Sequence, residues 1–208
     1  MKTTTNVRTM KMVQLALFIA IIFLMAFTPI GYIKTPGFQI TLLVIPVTVG
    51  AIILGPGSGA ILGGAFGVTS FIQCFGLDPF GAFLLGISPV GTLILCLVPR
   101  ILMGWLSGII FLKLRKINKF KNLSYAVSSL SGPILNTVLF MGTFVVFLNV
   151  TDSFQALVEK FGFEAGNIMA LVITLAGVNS LIEALVCLIL GTAIAKALDS
   201  FRKKSDNY

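Results

Sequence analysis

Apolar residues fill this chain in long unbroken blocks, and polar residues gather in the short breaks between them, with neither helical amphipathicity nor strand alternation dominating. The block 12–27 carries no charged residue at all. Blocks of roughly 17–25 apolar residues match a helix crossing a hydrocarbon core about 30 Å thick. The pattern therefore predicts an all-α membrane protein, a bundle of about six transmembrane helices near 12–33, 40–54, 57–75, 91–112, 124–149 and 168–198. No linker or low-complexity stretch interrupts the series, so residues 1–208 read as a single transmembrane domain.

Composition strengthens this reading. Hydrophobic residues make up 57% of the 208 positions and charged residues only 11%, with a mean hydropathy of +1.04; a soluble domain so composed would aggregate. The +8 net charge is distributed as a topology signal rather than as a nucleic-acid surface. Twelve of the 15 basic residues fall in three segments: Lys2, Arg8 and Lys11 before the first span, Lys113, Arg115, Lys116, Lys119 and Lys121 after the fourth, and Lys196, Arg202, Lys203 and Lys204 at the end. Cytoplasmic segments retain Lys and Arg. Four spans and then two separate these segments, which places both termini in the cytoplasm. A signal peptide is the competing reading of the N-terminus, but the apolar run is long for one and no small-x-small cleavage pattern follows it. Cys74, Cys96 and Cys187 fall in or at the ends of spans and read as small packing residues, not a disulfide framework.

Two features of the spans concern packing and access. Gly59, Gly63 and Gly67 stand four apart in the third span, a flat ridge that another helix backbone can approach closely, within the chain or in an oligomer. Two outer loops, 28–38 and 75–83, are rich in Pro, Gly and aromatic residues. Irregular backbone at membrane depth must be buried in protein or line a wet cavity, so these loops are candidate lids over a pocket that opens outward; they also fit surface turns resting on headgroups.

The candidate chemistry lies in four polar side chains inside the apolar blocks: Arg100, Asn136, Asn179 and Glu183. At 1.5 Å per residue, Arg100 lies about 14 Å and Asn179 about 16 Å below the outer ends of their spans, and Asn136 about 18 Å above the inner end of its own. Glu183 follows Asn179 by one turn on the same face. All four converge near mid-membrane. An ionised Arg at this depth needs a partner and faces protein. Either Arg100 and Glu183 staple two spans together, or Arg100 grips a substrate anion while the asparagines supply amide donors and acceptors. Thr137, Gln73 and Asn167 are secondary candidates.

Absences narrow the function. The chain has no histidine and no phosphate-binding Gly-x-x-x-x-Gly-Lys-Ser/Thr loop, and Glu183 is the only acid inside a predicted span. ATP hydrolysis by that loop, histidine catalysis and a His-ligated metal site are thereby excluded, and a paired-carboxylate mechanism has no second member. Neither a metal nor another cofactor is expected. A lipid-modifying enzyme using Glu183 as base and a small structural or channel-like protein are the remaining other classes.

A small membrane binder without its own motor resembles the S components of energy-coupling factor (ECF) vitamin transporters, over essentially the whole chain. The residues that carry the resemblance are Ala16-x-x-x-Ala20 in the first span, Ile45-Pro46-Val47 with the stretch 50–56, and Pro99-Arg100. It implies a non-enzymatic substrate-capture subunit in a bacterial-type plasma membrane, pairing with a transmembrane coupling subunit and two ATPase subunits. By the same resemblance Ala16 and Ala20 dock on the coupling subunit. The segment before the second span, 38–43, lacks the acid of riboflavin-type members, and the overall pattern is most similar to pantothenate-type members; a pyridoxine-type vitamin, riboflavin and folate are the alternatives.

Overall fold

A computed structural model of the chain describes residues 4–29, 31–35, 38–116, 123–161 and 180–198. Among the described residues the architecture is all-α, apart from one two-stranded hairpin. In chain order it comprises α1 (Thr4–Ala26), the hairpin strands β1 (Tyr32–Thr35) and β2 (Phe38–Thr41), α2 (Val44–Leu54), α3 (Pro56–Gln73), α4 (Pro79–Ile87), α5 (Pro89–Lys116), α6 (Leu123–Thr151) and α7 (Phe154–Phe161). The last helix, α8 (Ser180–Leu198), contains a π-helical segment at Cys187–Gly191. Helices α1, α5, α6 and α8 are long and apolar enough to cross a membrane. The start of the predicted sixth span, 168–179, and the basic segments 117–122 and 199–208 lie outside the described residues.

The second span differs from its prediction. Residues 40 and 41 belong to β2, and the helix that follows has 11 residues, a length of about 16 Å, well short of the hydrocarbon core. Every one of those residues is buried. The helix is apolar all round because it is the axis of the bundle, touching α1, α3, α5, α6 and α8. The first span also ends earlier than predicted: α1 stops at Ala26, not near residue 33. Thr28 and Gly31 then bond back to form a turn, and a Cβ on Gly31 would collide with the Met25 carbonyl. The end of α1 is pinned to α3 by Gln73, whose Nε2 donates to the Ala26 carbonyl at 2.8 Å.

Helices α2 and α3 are joined through Gly55 alone, whose φ of 97° lies in the left-handed region that glycine favours; Pro56 then opens α3. The glycine ridge on α3 packs within the chain, against α5. A Cβ on Gly59 would strike the Gly104 carbonyl, one on Gly63 the Arg100 carbonyl, and one on Gly67 would lie 2.8 Å from the Cys96 carbonyl oxygen. The loop expected over 75–83 contains the start of a helix instead, α4, capped by Asp78, whose Oδ2 accepts from the Gly81 N–H at 2.9 Å.

Two apolar clusters result. The larger surrounds α2 and includes Ile22, Val47, Leu62, Phe66, Met103 and Phe111. The smaller lies under α4 and α7 and contains Leu84, Leu95, Phe144, Phe147, Leu148 and Leu157. Large apolar side chains such as Leu17, Leu24, Val138, Val146 and Ile189 point outward, as lipid-facing positions do, since lipid is as apolar as leucine.

Candidate binding site

Arg100 lies at the junction of the two clusters. Its neighbour Pro99 sits inside α5 and has no N–H to offer the carbonyl four residues back, that of Leu95. The Arg100 side chain supplies the missing donor: Nη1 bonds the Leu95 oxygen at 2.9 Å. Pro99 thus creates an acceptor at membrane depth and Arg100 fills it, which holds the guanidinium close to its own helix. The gap at Gly63 lets α3 approach the Arg100 backbone closely, and this brings the buried Phe66 ring to 5.5 Å from the guanidinium carbon. From the other side Phe140 of α6 stands at 4.5 Å. Aromatic faces at such distances attract a cation, by about 2 kcal/mol or more once it is desolvated.

This cradle leaves one donor unused. Among the described residues, Arg100 Nε is buried without a hydrogen-bond partner. One turn before Phe140, Asn136 lies on the same face of α6; it is 9% exposed, and its Oδ1 is likewise buried and unpartnered. The two orphans are complementary in type, one donor and one acceptor. Leaving a buried polar group unsatisfied costs roughly 1–3 kcal/mol, and more for a charged group.

Glu183 does not pair with Arg100. Its Oε1 accepts the backbone N–H of Thr41 at 2.7 Å, drawing the carboxyl toward the base of the hairpin while the guanidinium turns toward the aromatic rings. The salt-bridge staple is therefore absent. The secondary candidate Thr137 bonds Ser180 across α6 and α8 at 2.9 Å, and Gln73 serves the end of α1 as described above. Asn179 and Asn167 lie outside the described residues. Sequence reasoning missed Phe66 and Phe140, whose apolar character hides them among core residues. It also missed the Tyr32 hydroxyl, which reaches Ser70 Oγ on α3 at 3.3 Å.

Around the site the chain matches a known family, described as ECF transporter, substrate-specific component, over residues 10–195. The chain belongs to this family. Among its relatives, a pantothenic acid transporter PanT of Lactococcus lactis subsp. cremoris is 32% identical over 202 residues, covering 92% of this chain and 94% of that protein. A pantothenate transporter PanT of Leuconostoc mesenteroides is 29% identical over 201 residues, covering 93% and 94%. This ECF substrate-specific component is thus a multi-pass membrane protein of a transport system, and the polar groups around Arg100 belong to a component named for substrate specificity.

Proposed function

We propose that this substrate-specific component captures pantothenate from outside the cell, in a pocket lined by α3, α5, α6 and α8. The observation that carries the reading is the pair of buried, unpartnered atoms, Arg100 Nε and Asn136 Oδ1. A ligand that satisfies both must offer an acceptor, best a carboxylate, and a hydroxyl or amide donor. Pantothenate has a carboxylate at one end and amide and hydroxyl groups along its length; the names of the two relatives support the choice. Asn179, which precedes α8 in the chain, is proposed as a further contact, and the β1–β2 hairpin together with α4 as the outer cover.

Residues 1–208 form one binding domain, with both termini and the 117–122 segment in the cytoplasm. The role is binding, not catalysis. Energy comes from two ATPase subunits through a transmembrane coupling subunit, which docks on α1 at Ala16 and Ala20. Both alanines are exposed, on a helix that also presents Leu17 and Leu24 at 61% and 65% exposure, so the ridge is open to a partner.

The test compares pantothenate with its alcohol analogue, which lacks the carboxylate, in wild type and Arg100→Ala. Losing a charge-assisted bond predicts that Arg100→Ala weakens pantothenate binding by roughly 10–100-fold, while the alcohol binds both proteins equally and weakly. Equal loss for both ligands, or none for pantothenate, removes Arg100 from the carboxylate subsite.

A further inference from the structure

The sequence presents Glu183 as a fourth ligand contact, but its carboxyl is already engaged. It is 4% exposed and bonded to the backbone N–H of Thr41, the last residue of β2. Thr41 pairs directly with Tyr32, the first residue of β1, so the bond falls on the rung at the hairpin's base, where the chain turns into α2. The partner on that rung is tied as well, Tyr32 hydroxyl to Ser70 Oγ on α3. Next to it the Leu42 N–H returns to the Gly31 carbonyl and closes the base. A two-stranded hairpin alone is marginally stable. This one is held at its foot between α3 and α8.

Helix α8 is itself fixed on either side of Glu183. Ser180, three residues earlier and on the same face, bonds Thr137 of α6 at 2.9 Å. Four residues later the π-helical segment Cys187–Gly191 begins, the kind of local irregularity that recurs at functional sites. Gly191 in that segment lies against Ser129 of α6, where a Cβ would come within 3.1 Å of the serine side chain.

Resting on the reading above, we propose that Glu183 is a positioning residue: its carboxyl clips the base of the β1–β2 hairpin to α8, and this clip sets how readily the hairpin opens and how fast bound ligand leaves. The ligand does not touch Glu183. Its side chain works through the Thr41 N–H, a backbone donor that among substitutions at this position only proline removes. The amide of a glutamine also presents an acceptor oxygen and keeps the clip; an alanine cannot.

The experiment has two readouts on the detergent-purified full chain. Hydrogen exchange of the 31–42 backbone without ligand reports the clip itself and needs no vitamin, so it stands even if pantothenate is the wrong ligand. Glu183→Ala is expected to raise exchange there by roughly 10-fold, with Glu183→Gln close to wild type. Pantothenate dissociation should accelerate by a similar factor in Glu183→Ala only, with association changed much less. Thr41→Pro, which removes the donor and leaves Glu183 intact, should reproduce both effects and serves if Glu183→Ala fails to fold. Wild-type exchange over 31–42 in both Glu183→Ala and Thr41→Pro overturns the proposal. So does faster dissociation in Glu183→Gln with unaltered exchange, which marks direct ligand contact.

Discussion

At the residue scale, the site arises from a proline. Pro99 strips the Leu95 carbonyl of its helical donor, Arg100 answers with Nη1, and Phe66 and Phe140 flank the remaining charge. Among the described residues the arginine is thereby held without a carboxylate partner, and Nε stays available. Arg100→Lys should not rescue Arg100→Ala. A lysine ammonium is a compact, strongly hydrated charge that cannot spread across two rings and offer a planar fork at once, so pantothenate affinity in Arg100→Lys is expected to remain at least about 10-fold below wild type by equilibrium binding. Recovery of full affinity would show that charge alone is recognised. Arg100 and Asn136 could be picked out from the sequence because polar residues in apolar blocks stand out on their own. The bond from the Thr41 N–H to Glu183 could not, because a backbone N–H carries no side-chain identity, and nothing in the sequence fixes which side of Arg100 the carboxyl turns to.

At the scale of elements, the close α3–α5 contact positions the Arg100 backbone, and the glycines four apart made it readable, though not which helix they would meet. Substitutions should separate sharply along that ridge. A Cβ on Gly63 meets the Arg100 carbonyl, which cannot yield, whereas one on Gly64 meets Ile101 Cγ1 at an ordinary 3.7 Å. Gly63→Ala is expected to cost about 1–3 kcal/mol and to lower the thermal midpoint in detergent, while Gly64→Ala stays neutral or gains slightly from helix propensity. Equal midpoints for the two variants would contradict the packing described. The hairpin was the element least legible in advance. Its strands are four residues each, too short for alternation to emerge, and the sequence from Thr28 to Phe38 reads as loop because two prolines and two glycines punctuate it. Helix α2 was misjudged for the opposite reason: burial on every side makes it apolar throughout, continuous with Leu42 and Leu43 before it.

At the scale of the molecule, long apolar blocks conveyed the membrane bundle directly, since lipid imposes length, and the clustered basic residues propose its orientation, since the cytoplasm retains positive charge. That topology is testable in intact cells. With Cys74, Cys96 and Cys187 replaced, a thiol introduced as Lys119→Cys should react with a membrane-permeant maleimide and resist an impermeant one; impermeant labelling would invert the bundle. Docking is testable as well: Ala16→Leu with Ala20→Leu places bulk on the α1 ridge and should abolish most transport while leaving ligand binding by the isolated chain unchanged. The central claim is that this substrate-specific component binds pantothenate by itself. The most direct test is to purify the chain in detergent, identify any co-purifying small molecule by mass spectrometry, and titrate labelled pantothenate to equilibrium. Saturable binding of one pantothenate per chain, displaced by unlabelled pantothenate and not by riboflavin, folate or pyridoxine, is the predicted result; stoichiometric binding of one of those vitamins in its place, or of none, would contradict it.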